Sequence, residues 1–483
     1  MQAVDLFEHL VTPPFRNNES TKAVVGDSGA EEADESQGGE GGKGTRKGGN
    51  GRRKPGDFSN PGQVSIPHPT LKHGDPCPCG CGGTLYRATR SSNIFRHFVG
   101  QPPISVTFYE TEVLHCRRCD QTFAAPLPDG VGPASYDASA ISVIALAKYG
   151  TGIPFYRHAA FLGTLGVPIA VSTQYELVAS AAKLLGPVHK EMVRLAAQGK
   201  LAYIDDTSMT ILKFVREAND TRTGIHTTGV LSVHEAFEIG LFITGRNHAG
   251  ENMAGILKQR CPDLSAMLQM SDALACNFSE LETEEDVIAS CLTHGRRNFV
   301  KVAESFPEET RQALLSIGQI YHNDRLAREQ ELSPEARLAF HQRESQPVMD
   351  EFQTWIKGQL DGETEPNSGL GKAMRYMLKN WESLTLFLRV AGAPLDSNPV
   401  ERLLKKAVLH RKNSLFYRTI KGAQVGDLYM SLIYTCQLNG ANPFDYLTVL
   451  QRNADLATAS PGDWLPWNYA ATVQQLLVLE SPS

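Results

Sequence analysis

Two strand-like runs in this chain each end on an aspartate, and that pairing limits the folds open to it more than any other feature. LAYID ends at Asp205, with Asp206 directly behind it, and LSAMLQMSD ends at Asp272. Two strands of one sheet that stop together bring such carboxylates to a common edge. Side chains alternate between faces along a strand, so only one of Asp205 and Asp206 can enter a site shared with Asp272. Carboxylates with water are the donors that magnesium prefers. Taken alone, a strand-end Asp pair also serves as a turn or a cap.

The segments around these runs predict an α/β chain. MTILKF, TTGVLSV and FEIGLFI read as further strands separated by turns. Residues 135–198 read as helices: SAISVIALAKYG, then PFYRHAAFLGTLG from Pro154 to Gly166, then VPIAVSTQYELVASAAKLL with Ser172 as its N-cap. Helical patterns dominate from about 283 to 361, break at DGETEPNSG, and return at about 370–390 and 399–409.

A third carboxylate stands on the last of these helices, in LDSNPVERLLKKAVLHRKN. Asp396 or Ser397 can cap that helix, and Pro399 suits its first turn. Val400, Leu403, Leu404, Ala407 and Val408 form an apolar stripe. Glu401 lies about 100° round from Val400, at the border of the stripe, where it can reach the rim of whatever the helix packs on. A solvent-facing Glu favoured by the helix dipole would look the same.

The surroundings of Glu401 are basic. From Arg389 to Lys421, eight Lys or Arg face two acids, a local balance of +6 in a chain of net charge −6. Arg402, Lys405, Lys406, Arg411 and Lys412 fall here and make a phosphate-binding face beside a candidate metal site. A second basic cluster, CLTHGRRNF, holds His294, Arg296 and Arg297. Its Cys291-x-x-His294 spacing suits a metal pair, helix packing or a phosphate contact.

Five of the nine cysteines fall in two tight clusters, a pattern of metal binding in a reducing compartment. Cys116-x-x-Cys119 is a zinc knuckle by spacing. Upstream, CPCGCGG offers three thiols for two places: Cys81, with Cys77 or Cys79 as its partner. Free thiols in a small core are the alternative. Residues 1–62 are Gly-rich, with an acidic block and then a basic one, and read as a disordered arm, either a solvated linker or a basic arm that touches phosphates. No apolar run reaches the length of a membrane span, and the opening MQAVDLFEHLVTPPF has no signal-peptide pattern.

Taken together, these motifs resemble the insertion-sequence-66 family of bacterial DDE transposases. The similarity runs from about 70 to 455, through HCRRCDQTF, KYGTGIPFYRH, YIDDTSMTIL, MLQMSDALACNF, CLTHGRRNF, GKAMRYMLKNWESL, PLDSNPVERLLKKAVLHRKNSLF and SLIYTCQLNGANPFDYL. The resemblance implies an RNase H-like mixed-sheet core whose acids Asp205, Asp272 and Glu401 bind two magnesium ions, with manganese as a substitute. Asp206 sits where the family often has Glu and stays outside this trio. Asp396 and Asn398 match a family loop that supports the Glu401 helix. Three cysteines replace the family's usual pair in the first knuckle, and Asp396-Ser397-Asn398 replaces its Asp-Asn-Asn.

The domain plan that follows is a disordered arm (1–62), a zinc-ribbon-like domain (66–128) and a helix-turn-helix-like DNA-binding segment (135–198) with Ser172–Ala182 as its reading helix. A catalytic domain (199–420) with a helical insertion (about 283–390) and a helical C-terminal element (421–483) complete it. Structural zinc is expected on Cys77, Cys81, Cys116 and Cys119, with Cys79 able to replace Cys77. The DNA contacts are expected from Arg296, Arg297, Arg402, Lys405, Lys406, Arg411 and Lys412. The expected activity is cleavage at the element ends followed by strand transfer. The partners would be the terminal inverted repeats and target DNA, a second copy of the chain on DNA, and accessory proteins of the element, in the bacterial cytoplasm with no membrane role. A nuclease on the same fold without strand transfer, or a DNA-binding protein that has lost its chemistry, are the alternatives.

Overall fold

A computed structural model describes residues 68–86, 101–115, 117, 121–132, 134–214, 222, 224–273, 287–362 and 364–480. The arm at 1–62 and the second knuckle, Cys116 and Cys119, lie outside the described residues. The described residues belong to two units, divided at Gln101–Pro102, within the 66–128 segment. In the smaller unit, residues 68–86 are mostly turns, with a single bridge between Pro76 and Thr84.

The larger unit begins with two short paired strands, β1 (Val113–His115) and β2 (Thr122–Ala124). Three helices follow: α1 (Ala138–Ala145), which runs on into a wider turn to Gly150, α2 (Phe155–Thr164) and α3 (Val171–Ala196). The strands β3 (Leu201–Ser208), β4 (Ile211–Lys213), β5 (His226–Val233) and β6 (Glu238–Gly245) come next, then α4 (Ala249–Leu257), β7 (Leu268–Ser271) and β8 (Val287–Ser290). The insertion carries α5 (Leu292–Val300), α6 (Pro307–Glu329), α7 (Pro334–Glu344), α8 (Gln346–Gly362), α9 (Gly369–Lys379) and α10 (Trp381–Leu384). The chain closes with α11 (Asn398–Ser414), β9 (Tyr417–Thr419), α12 (Ile420–Leu438), α13 (Pro443–Arg452), α14 (Ala454–Ala459) and α15 (Tyr469–Glu480).

Five strands make the central sheet, in the order β6-β5-β3-β7-β8. The first three are antiparallel, and β7 and β8 join them in parallel. The sheet is therefore mixed, with β3 at its centre. Val230, Leu231, Ile239, Leu241 and Phe242 are all buried, as strands covered by helices on both faces require. Helices α1 and α3 share their core with this sheet and with α12 and α13: Ile144, Val178, Leu185 and Met192 pack in one cluster with Ile204, Leu403 and Tyr429.

Three predicted elements are corrected here. Ser172 does not cap α3. Ala170 holds the cap position with no side-chain bond, and the start is set by the buried Gln174, whose amide donates to Ile169 O (3.0 Å) and meets His158 across the turn (2.9 Å). Val287–Ser290 is a strand where a helical pattern was expected, because four residues are too few for periodicity to separate the two. The expected helix at 370–390 is broken at Asn380, whose side chain donates back to Tyr376 O (2.9 Å) and ends the turn.

The sheet's outer edge at β6 is covered by a ladder of side chains from α12. Residues 427, 431, 435 and 439 recur every four positions and line one face of that helix. Asp427 accepts from Thr244 N (2.7 Å), Ser431 from Phe242 N (3.0 Å), Thr435 from Gly240 N (3.1 Å) and Asn439 from Glu238 N (3.1 Å). Every second amide of the edge strand thus has a partner, which removes a template for strand addition. Asp427 is buried, and burial pushes its carboxyl up to about 7 against the pull of the Thr244 bonds. The insertion has its own buried centre: Asp324, 1% exposed, meets Arg328, Arg337 and His341. Thr435→Val keeps the shape and removes the acceptor, leaving the Gly240 amide unpaired. The expected cost is about 1–3 kcal/mol in urea denaturation, with increased self-association of the variant.

Candidate active site

Asp205 lies on β3, paired across from Gly229 of β5. The parallel register of β3 and β7 runs Leu201 with Leu268 and Tyr203 with Met270. Carried forward by two residues, that register sets Asp272, the residue after β7, level with Asp205. The two carboxylates are electrostatic neighbours. Burial first, and then the charges of Asp272 and Asp206, push the Asp205 carboxyl up to about 7, while a bond from Asp206 N (2.8 Å) and the nearby His294 act the other way.

Glu401 stands in the first turn of α11. That helix crosses the sheet on the Asp205 face, and its closeness depends on Gly229: a Cβ there would stand 2.7 Å from Leu403 Cδ2 and 2.9 Å from Leu404 Cδ2. Val400, Leu403, Leu404 and Ala407 are buried, as the stripe predicts. The loop before the helix is tied to α5, since Leu292 N donates to Leu395 O (2.9 Å) and Ser397 N to Cys291 Sγ (3.3 Å). Ser397 holds the cap position without a side-chain bond, and Asp396 instead accepts from Asn398 N (3.1 Å).

One turn of α5 faces Glu401. Arg297 donates through Nη2 to both of its oxygens at 3.0 Å, and His294 Nε2 is 4.0 Å from Oε1. His294 therefore stands beside Glu401 and also within electrostatic reach of Asp205. Spacing grouped His294 with Arg296 and Arg297 as a basic cluster and with Cys291 as a possible metal pair; the Cys291 thiol is sealed in the core and pushed up by burial.

The remaining expected DNA contacts divide. Arg411 is held at the end of β3, donating to Thr207 Oγ1 (3.1 Å) and Ser208 Oγ (2.6 Å). Arg402 lies near enough to Glu238 to oppose the effect of its burial. Arg296 is part-buried on α5, which lowers its pKa. Lys405 and Lys412 are exposed, and Lys406 is half-buried.

Asp206 points to the opposite face of the sheet, where it meets His248 (2.9 Å). In the smaller unit the thiols of Cys77, Cys79 and Cys81 lie within 4.8 Å of one another, three donors that could hold a zinc ion. All three join the cluster, where spacing alone left the choice between Cys77 and Cys79 open.

With this arrangement of acids in place, comparison with known proteins becomes informative. The sequence model of the Transposase IS66 family matches residues 134–425. The chain belongs to that family. Its relatives in Sinorhizobium fredii include the uncharacterized protein y4jD, 26% identical over 369 residues (74% of this chain, 71% of that protein). The uncharacterized protein y4hP is 26% identical over 428 residues (82% of this chain, 74% of that protein). Among the described residues, no helix is long and apolar enough to cross a membrane.

The raised Asp205 pKa gives a test of the site's electrostatics. Between about pH 4 and 7 the folded state keeps a proton that the unfolded chain has released, so stability falls as pH rises through that window. Asp205→Asn removes this dependence. In metal-free buffer at pH 8 the variant is expected to be more stable than the parent by roughly 1–3 kcal/mol, and of equal stability near pH 4, by thermal or urea denaturation.

Proposed function

We propose that the protein is a DNA transposase with an RNase H-like core, which cleaves the ends of its element and joins them to target DNA. What supports this reading is that Asp205 and Asp272 fall level on adjacent parallel strands. Glu401 stands on the helix packed on the same face, 4.0 Å from His294, which is itself an electrostatic neighbour of Asp205. The strand order supports the same reading: counted in chain order, the sheet runs 3-2-1-4-5, with the first acid on its central strand.

The donor set fits magnesium. All three side chains offer only carboxylate oxygens, and burial of Asp205 beside Asp272 makes a doubly ionised pair unfavourable without a cation. Manganese suits the same oxygens. When bound, two such ions would lower the pKa of an attacking water or 3′-hydroxyl and take up charge on the leaving oxygen. The chain's own residues position this chemistry. Asp205, Asp272 and Glu401 would hold the ions, and the α5 turn would steer Glu401. Arg297 holds Glu401 through both carboxylate oxygens.

Lys405, Lys406 and Lys412, with Arg296, Arg402 and Arg411, form the basic surroundings for DNA phosphates. The first turns of α3, where Ser172 and Tyr175 are exposed, offer a surface for reading the element ends. Zinc on the Cys77, Cys79 and Cys81 cluster would be structural. A second copy of the chain on DNA, accessory proteins of the element and a cytoplasmic location belong to this proposal too.

The test is an assay with element-end DNA and a target plasmid. Asp205→Asn, Asp272→Asn and Glu401→Gln should each lower magnesium-dependent cleavage by at least about 100-fold while the fold persists. Full cleavage by Asp205→Ala would remove the assigned site. Joined products support transposition, whereas cleaved ends that never join a target identify a nuclease, and binding without cleavage identifies a DNA-binding protein. Separately, Lys405→Ala and Lys412→Ala should each reduce the slope of log binding constant against log salt by about 1, uniformly across sequences.

A further inference from the structure

The face of the sheet behind Asp205 carries a second cluster of donors that the proposed chemistry does not use. Asp206, His226 and His248 bring a carboxylate oxygen and two Nδ1 atoms within 4.8 Å of one another. His248 Nδ1 is 2.9 Å from Asp206 Oδ2, and His226 Nδ1 is 3.8 Å from Asp206 Oδ1. The two imidazole rings lie 4.1 Å apart between centroids, tilted by 41° to each other.

Three elements supply the cluster. Asp206 and His226 come from β3 and β5, diagonal neighbours on one face, since Asp206 pairs with Thr228 and Ser208 with His226. His248 is the residue before α4, and Glu251 fixes it by accepting from its backbone N (2.8 Å). The His226 ring is set by Gly224: a Cβ there would lie 2.5 Å from Nε2, so only glycine lets the ring lie against the backbone with Nδ1 turned to Asp206. Side-chain exposures of 17%, 19% and 34% leave the cluster open to water on one side.

We infer that Asp206, His226 and His248 form a binding site for a divalent transition-metal ion of the zinc type, on the opposite face of β3 from the three acids. Two imidazoles and a carboxylate are the donors that zinc takes, with water completing a tetrahedron. Bonds of about 2.0–2.1 Å hold neighbouring donors of a tetrahedron about 3.3 Å apart. The observed 2.9 and 3.8 Å, to the two oxygens of Asp206, lie either side of that separation, and a rotation of the carboxylate that presents one oxygen to both rings would close the site. Magnesium, which favours oxygen donors, would be a poor occupant. The ion would tie the C-terminal half of β3, and with it Asp205, to β5 and to the start of α4. The site does not depend on the transposase reading.

The experiment is zinc binding by the full-length chain, with millimolar magnesium present to fill the carboxylate trio. Cys77, Cys79, Cys81, Cys116 and Cys119 are changed to Ser to remove thiolate zinc. Titration with Zn²⁺ against a chromophoric chelator should give one equivalent. Adding His226→Ala and His248→Ala together should abolish it, and His248→Gln alone, at the most exposed ligand, should weaken it by at least about ten-fold. Co²⁺ in the same protein should give a visible band without the near-ultraviolet sulfur band. Metal-free melting temperatures report whether the variants fold, and His248→Gln decides the matter if the double variant does not. Unchanged zinc binding in His248→Gln would overturn the inference. So would loss of the zinc in Asp205→Asn with retention in the histidine variants, which would locate the ion in the trio.

Discussion

The contact on which the site depends is the close seating of α11 against β5 at Gly229. Gly229 is the cross-strand partner of Asp205, so the space that it leaves is on the same face and at the same level as that carboxylate. Leu403 and Leu404 fill it, which fixes the height of the helix above the sheet and the distance from which Glu401, one half-turn earlier, can approach. A bulkier residue at 229 would lift α11 and withdraw Glu401 without touching any acid. The apolar stripe of the helix and the position of its one carboxylate are therefore parts of the same constraint.

Alternation along β3 then divides the chemistry between the two faces. Asp205 turns toward α11 and Asp272, where burial and a like charge raise its proton affinity, while Asp206 turns toward α4 and two imidazoles. At Asp205 the nearby His294 only partly offsets burial and the like charges. Asp324 shows the opposite case. Burial raises its pKa, but the His341 bond and the guanidiniums of Arg337 and Arg328 outweigh this and hold it at about 2. The protein thus compensates the charge inside its insertion more fully than the charge on the central strand.

Much of this was legible in the sequence because it follows from short-range rules. The strands through LAYID and LQMS, the stripe of α11 and the rule that only one of Asp205 and Asp206 can share a face with Asp272 need only periods of two and 3.6 residues. The strand at Asp205 nevertheless runs on to Ser208, because it stays paired with β5 as far as His226, and the choice of Asp205 over Asp206 rests on the family resemblance. The Asp206, His226 and His248 cluster was not legible, since its members are 42 positions apart at the extremes and meet only through strand register and a helix start. Strand Val287–Ser290 was hidden by its length. The cap of α3 was misplaced because buried packing by Gln174, rather than a serine side chain, decides where that helix begins.

Local charge was also only partly readable. The +6 stretch around Glu401 suggested a uniform phosphate-binding face, yet several of its members already have partners within the fold. Arg411 clamps Thr207 and Ser208 at the end of β3, and Arg402 turns toward Glu238. From the second cluster, Arg297 chelates Glu401. Arginine suits such roles because its planar fork makes several directed bonds at once, whereas lysine carries a strongly hydrated point charge on a flexible stem. The division of labour follows from that difference. The arginines hold the strand end and Glu401 in position, and under the proposed function the exposed lysines of α11 are left to bind a polyanion.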